Sequence, residues 1–126
     1  MSLRSNLGVV RGLGSAKGGT HHWWMQRLTA IALVPLSLWF VAHIVHLAGA
    51  DYVTAVAWFR NPWHSALMTA LLIATFYHAQ LGLQVVVEDY VDTAWVQITT
   101  QILIKFFAIL LGLASVIAVV RISMGA

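Results

Sequence analysis

Residues 78–92, HAQLGLQVVVEDYVD, decide how the chain is organised. The stretch begins with His78 inside an uncharged apolar run and ends with three acids placed around Tyr90. The run, about residues 64–88, is long enough to cross a hydrocarbon core about 30 Å thick at about 1.5 Å per residue. The stretch therefore predicts a membrane-spanning helix with a histidine at membrane depth and a polar site at one interface.

The composition of the whole chain agrees with a membrane protein. Of its 126 residues, 60% are hydrophobic and only 9% are charged, far from the balance of a soluble domain. The absence of cysteine excludes disulfides, thiolate metal sites and iron–sulfur ligation within this chain.

Two further apolar runs flank the first one. Helices are predicted at about residues 25–50, 64–88 and 96–122, with tryptophans at both membrane boundaries. The predicted fold is all-α, an integral membrane protein with three transmembrane helices. Because three helices enclose little space for a cofactor or channel, we expect a partner chain.

The basic residues predict the orientation of the spans. Four of them precede the first span, namely Arg4, Arg11, Lys17 and Arg27. Lys105 lies near the same face, and only Arg60 and Arg121 lie on the other. Because cytoplasmic segments carry the excess of Lys and Arg, the N-terminus is predicted to be cytoplasmic. Residues 1–20, rich in Gly and Ser and free of acids, are predicted to be a flexible cytoplasmic tail, and residues 21–126 the membrane domain.

His78 is the strongest candidate among six histidines. It lies about ten residues, or about 15 Å, from the cytoplasmic end of its helix, and an ionisable group at that depth is a functional candidate. Small residues surround it, including Ala79 and Gly82, so that another helix or a flat macrocycle can approach closely. Two interpretations remain equally open, a cofactor ligand and a core histidine bonded to a neighbouring helix.

The other histidines lie nearer the interfaces. His21, His22 and His64 are placed where water can hydrate them, and His43 and His46 come near the far end of the first helix. His43 is about 27 Å from the cytoplasmic edge, which leaves a mismatch of about 12 Å with His78. A haem bound by His78 would therefore take its second axial ligand from another chain.

Asp89 and Tyr90 form a second candidate site. Asp89 follows His78 by eleven residues, which places it on the same helical stripe and about one leaflet away. A phenol at the boundary can donate a hydrogen bond to a carbonyl reaching it from lipid, and a carboxylate can relay a proton. The alternative is a boundary tyrosine beside solvated acids that end a helix.

Two motifs resemble a known family. The pattern His78-Ala79, Gly82, Glu88-Asp89-Tyr90-Val91, preceded by residues 26–30, QRLTA, resembles the small hydrophobic membrane-anchor subunit of bacterial succinate dehydrogenase, a cytochrome b556-type anchor family. The resemblance covers about residue 20 to the end in architecture. It is specific only in H-A-x-x-G with the following D-Y, and in Arg-x-Thr-Ala.

The resemblance implies a role for each matched residue. His78 matches the axial ligand to haem b, the other ligand coming from the sister membrane anchor subunit. Tyr90 matches the tyrosine that hydrogen-bonds ubiquinone, and Asp89 the acid beside it. Arg27 matches an arginine near the haem propionates and the quinone pocket, and His21 a propionate-facing histidine. The resemblance gives Glu88 no role.

The implied function is that of a membrane anchor in succinate:quinone oxidoreductase, complex II, in the bacterial inner membrane. Such a chain holds the flavoprotein and iron–sulfur subunits at the membrane and catalyses nothing alone. Two alternatives stay open: a di-haem cytochrome b-type subunit that also uses His43 or His46, and a non-redox structural or transport subunit in which His78 only packs.

Overall fold

The computed structural model describes residues 6–10, 12 and 18–125. The helices in these residues are α1 (Asn6–Val10), α2 (Gly19–Leu47), α3 (Tyr52–Arg60), α4 (Pro62–Tyr90) and α5 (Ala94–Met124). α2, α4 and α5 are each long and apolar enough to cross a membrane. The described part of the chain contains no strand. The prediction of an all-helical membrane protein with three spans is confirmed.

The helix bounds differ from the predicted ones. α2 begins at Gly19 rather than near residue 25 and ends at Leu47 rather than near residue 50. α4 and α5 each start about two residues earlier and end about two residues later than predicted. The start of α4 is set by Asn61, whose side chain accepts a hydrogen bond from the Trp63 amide at 3.0 Å, and by Pro62 in the first helical position.

The predicted tail and connection are also more helical than expected. Within residues 1–20, α1 occupies Asn6–Val10 and α2 has begun at Gly19, whereas residues 1–5, 11 and 13–17 lie outside the described part. The connection between the first two spans contains α3, which the sequence did not predict. α3 begins there because Asp51 accepts a hydrogen bond from the Thr54 amide at 2.9 Å, a typical N-cap contact.

The Asp51 cap predicts a pH dependence for α3. Hydrogen bonds from the Thr54 side chain and backbone amide lower the pKa of Asp51. A lowered pKa in the folded chain gives stability that is present above the unfolded value and is lost as the pH falls through the folded value. We expect Asp51→Ala to reduce the hydrogen-exchange protection of the α3 amides at neutral pH. The decrease in protection that the unaltered chain shows in acid should be absent from this variant. Equal protection in both proteins at neutral pH would contradict this.

α4 is the middle helix of the bundle. It packs against α2 on one side and α5 on the other. Among the described residues it also supplies five of the six buried apolar ones, Met68, Leu71, Ala74, Leu81 and Val87. The start of α2, the end of α4 and the start of α5 lie together at what we call the near end. The far end consists of α3, the end of α2, the start of α4 and the end of α5. His78 therefore lies in the helix that contacts both neighbours.

Candidate functional site

His78 faces α2 at the near end of the bundle. Its Nδ1 lies 2.9 Å from the Thr29 hydroxyl oxygen, and its Nε2 lies 3.5 Å from the Gln26 amide nitrogen. Gln26 and Thr29 are three residues apart on α2, so both reach the same side of that helix. The half-buried imidazole is thus contacted at both nitrogens by polar side chains of one neighbouring helix.

These two contacts favour one tautomer of His78. The Thr29 hydroxyl lies 2.8 Å from the Met25 carbonyl oxygen and 3.1 Å from that of Gln26, so its single proton goes to the backbone of its own helix. Its oxygen is then free to accept the Nδ1 proton of His78. The Gln26 amide nitrogen is a donor and needs a lone pair on Nε2. Both contacts are satisfied when the neutral ring carries its proton on Nδ1.

A haem iron at Nε2 would have to displace the Gln26 amide nitrogen. The 3.5 Å contact from Gln26 is long, and the Gln26 amide oxygen is buried without a hydrogen-bond partner, so this side chain is only weakly held. Thr75 and Ala79, small residues near His78 on α4, are exposed. His78 Nε2 would hold the iron, and the iron would supply reversible one-electron transfer.

Gly82 lies against α2, one of the two kinds of neighbour that the small-residue pattern allowed for. A Cβ added to Gly82 would lie 3.6 Å from the Gln26 amide nitrogen. The space beside Gly82 is therefore used by α2. The same contact between α2 and α4 is what the structural interpretation of His78 requires, so the packing alone does not separate a ligand from a core histidine.

His43 lies at the opposite end of the bundle. Its Nδ1 donates to the Trp39 carbonyl at 2.8 Å, and its ring packs 5.1 Å from that of His64 and 5.5 Å from that of Trp58, measured between centroids. Thr29, which contacts His78, precedes His43 by fourteen residues of α2, or about 21 Å. The axial separation is larger than the predicted 12 Å because α2 begins earlier than expected. The two histidines do not share a site.

Asp89 and Tyr90 form the last residues of α4. The helix is continuous from His78, so Asp89 lies about 17 Å from it along the axis and on the same stripe. The Tyr90 side chain is 82% exposed, and Asp89 is exposed as well. The two residues are therefore separated from His78 and lie open at the near end, where a partner chain or a lipid-soluble molecule can reach them.

Glu88 connects α4 to α5. Its carboxylate accepts hydrogen bonds from Gln84 at 2.8 Å and from Gln101 at 3.2 Å, and its backbone carbonyl accepts one from Gln97 at 3.5 Å. Gln80 continues the series through a 3.3 Å bond to Gln84. The acid to which the sequence assigned no role thus joins α4 to α5 two residues before Tyr90, and so helps to fix the end of α4.

Arg27 and His21 lie at the near end but do not contact His78. The Arg27 guanidinium lies 5.5 Å from the centre of the Trp23 ring, a cation–π contact, and its side chain is exposed. His21 is exposed, whereas the neighbouring His22 is half-buried with its Nε2 buried and unbonded. The structure thus brings both residues to the predicted end of the bundle, at its surface.

Sequence reasoning missed Gln26 and Thr29 as neighbours of His78. Both belong to the motif QRLTA, but neither was given a role. Their signal was their type and spacing: two polar residues one helical turn apart at the start of an apolar run are costly unless they bond to something. What the sequence did not contain was the register of α2 against α4.

Comparison with known proteins assigns the chain to a family. The model of the succinate dehydrogenase/fumarate reductase transmembrane subunit family matches residues 1–120. The chain belongs to this family. It is 38% identical over 118 residues to the succinate dehydrogenase hydrophobic membrane anchor subunit of Rickettsia bellii, covering 93% of this chain and 94% of the relative. It is 33% identical over 117 residues to that of Rickettsia conorii, covering 92% and 93%.

A more distant relative matches a shorter part of the chain. The anchor subunit of Paracoccus denitrificans is 28% identical over 82 residues, which cover 65% of this chain and 64% of the relative. The family model and the two Rickettsia relatives confirm the predicted resemblance to succinate dehydrogenase anchors. Within this transmembrane subunit, the described residues hold no group of three or more His, Asp or Glu side chains that could bind a metal ion.

Proposed function

We propose that the chain is the hydrophobic membrane anchor subunit of succinate dehydrogenase, and that it supplies one axial ligand to haem b and part of the ubiquinone-reduction site. The observation that carries this proposal is the family match over residues 1–120, together with relatives of that name that align over almost their whole length. The three apolar helices supply the multi-pass membrane domain that an anchor needs.

His78 is the proposed haem ligand. It is half-buried, its contacts favour a proton on Nδ1, and its Nε2 has only a weak contact with Gln26. This arrangement matches what histidine ligands generally require, a free Nε2 lone pair and an Nδ1 proton held by an acceptor. Because His43 lies about 21 Å farther along the bundle, the second axial ligand comes from the sister membrane anchor subunit.

Tyr90 and Asp89 contribute to the proposed quinone site. Reduction of a quinone to a quinol consumes two electrons and two protons. The electrons come from the iron–sulfur subunit, whereas the Tyr90 hydroxyl donates a hydrogen bond to a quinone carbonyl and Asp89 relays protons from water. Since the Tyr90 side chain is 82% exposed, the other walls of the site belong to partner subunits.

Arg27 and His21 are the proposed contacts for the haem propionates or the quinone pocket at the near end. A guanidinium binds carboxylates through paired hydrogen bonds, so Arg27 suits a haem propionate or the rim of the quinone pocket. Its contact with Trp23 holds it at that end, one residue from Gln26. His21 is proposed as a second, weaker propionate contact, because it lies within two turns of Arg27 on α2.

The near end is proposed to face the cytoplasm of a bacterial cell, with the chain in the inner membrane. The basic residues concentrate before α2, and the flavoprotein and iron–sulfur subunits bind on that side. The chain performs no chemistry alone. It holds the haem and quinone in an apolar medium with a few polar side chains and joins the soluble subunits to the membrane.

Affinity purification of the tagged chain from its own host membranes tests this function. We expect three proteins to co-purify in equal amounts: a flavoprotein, an iron–sulfur protein and a second small membrane protein, with succinate-dependent quinone reduction in the same fraction. A chain that purifies without flavin or iron would contradict the proposal. A channel or transport subunit would instead bring down other membrane proteins and no succinate oxidation.

A further inference from the structure

We propose that Thr29 is a positioning residue for the haem ligand. This role rests on the proposed function of His78 and extends it one step further along the hydrogen bonds. The Thr29 hydroxyl oxygen lies 2.9 Å from His78 Nδ1; by accepting the Nδ1 proton it would fix the ring orientation and present Nε2 to an iron. No charged side chain lies in this contact, so a single hydroxyl sets the donor strength of the imidazole.

The backbone of α2 prepares Thr29 for this role. The Thr29 oxygen lies 2.8 Å from the Met25 carbonyl oxygen and 3.1 Å from the Gln26 carbonyl oxygen, so the hydroxyl donates its hydrogen bond to the backbone of α2. A lone pair of the Thr29 oxygen is left directed away from the helix. A β-branched side chain has few rotamers in a helix, and these backbone bonds restrict it further. The acceptor is therefore held in place before any cofactor binds.

Gln26 contacts the other ring nitrogen of His78, and this contact is weaker than the one from Thr29. Its amide nitrogen lies 3.5 Å from Nε2, at the limit of a hydrogen bond, and its amide oxygen is buried without a partner. The bond at Nδ1 is short and supported by the helix, whereas the one at Nε2 is long and unsupported. A metal can therefore displace Gln26 while Thr29 keeps the ring in place.

The expected consequence is a change in the electronic properties of the haem. A partner that accepts the free N–H of a ligating histidine makes that ligand more basic, and its removal typically weakens metal binding by about 10- to 100-fold. A more basic ligand favours ferric over ferrous iron. Loss of the Thr29 acceptor should therefore raise the midpoint potential, and a tenfold weakening of ferric relative to ferrous binding corresponds to about 59 mV for one electron.

Four variants of the intact complex test the role of Thr29. Thr29→Val keeps the shape of the side chain and removes the acceptor, whereas Thr29→Ser keeps the hydroxyl. Thr69→Val is the matched control, because the Thr69 hydroxyl bonds only to the Ser65 carbonyl of its own helix, at 2.8 Å. His78→Ala tests the ligand itself. The measurements are haem content, midpoint potential and the low-spin ferric resonance spectrum.

We expect Thr29→Val to raise the midpoint potential and shift the ferric spectrum, with Thr29→Ser and Thr69→Val close to the unaltered complex. If Thr29→Val loses the haem, retention by Thr29→Ser supports the role of the hydroxyl, and loss in both overturns it. An unchanged potential and spectrum in Thr29→Val overturns the inference. If His78→Ala keeps its haem unchanged, the proposed ligand itself is wrong; if it is haem-free while Thr29→Val is unchanged, only the role of Thr29 fails.

Discussion

Replacement of His78 by alanine should remove haem b from the complex. The substitution deletes the proposed ligand, the imidazole that lies next to Thr29 and Gln26. Since loss of an outer partner of a ligand already costs about 10- to 100-fold in metal binding, loss of the ligand should lower haem occupancy at least tenfold. The measurement is the reduced-minus-oxidised absorbance spectrum of the purified complex, normalised to flavin.

His43→Ala is the matched control for this experiment. His43 is also half-buried on a membrane helix and also bonds through Nδ1, but it lies in the aromatic cluster at the far end. We expect the haem spectrum of this variant to be unchanged. Succinate oxidation with a soluble acceptor shows whether each variant has assembled. A b-type spectrum that survives His78→Ala in an assembled complex would refute the assignment.

Replacement of Tyr90 by phenylalanine should slow quinone reduction by about 10- to 100-fold. A lost hydrogen bond alone costs about 1 kcal/mol, and a positioned proton donor typically contributes about 10²- to 10⁴-fold to a rate. Succinate oxidation by a soluble artificial acceptor should stay unchanged, because that reaction takes place in the partner subunits. The test is the ratio of the two activities.

Tyr52→Phe provides the control for Tyr90. Tyr52 is also 82% exposed, but it starts α3 at the far end of the bundle. Its replacement should leave both activities unchanged. If Tyr90→Phe also leaves the ratio unchanged, Tyr90 is a boundary tyrosine that ends a helix. If Tyr52→Phe lowers quinone reduction equally, the loss reports a general disturbance of the bundle and the assignment of Tyr90 fails.

The three membrane spans were predictable because they depend on composition and length. Apolar runs of more than about 20 residues form helices in a membrane, where every backbone group must be bonded internally. α3 was missed because it is short and its N-cap, Asp51, resembles any polar loop residue. The start of α2 was missed because its first turn holds Gly19, Thr20 and two histidines, which are weak helix formers.

The candidate site was predictable in its parts but not in its contacts. The depth of His78 and its small neighbours could be read along one helix. The pairing of His78 with Thr29 required the register between α2 and α4, which depends on where both helices begin and end. The hydrogen bond that Glu88 accepts from Gln101 was missed for the same reason, since it depends on the packing of α4 against α5.

The number of haems in the unaltered complex decides whether His78 shares a single haem with a sister subunit. One ligand from this chain at His78, with a second from that subunit, gives one haem b for each flavoprotein subunit. The measurement is haem content by its pyridine adduct divided by flavin content in the purified complex. We expect a ratio of about one, as for a single iron with two axial ligands. A ratio near two would indicate a second haem at the far-end histidines, and a ratio near zero would leave His78 as a packing residue; either result would contradict the proposed shared haem.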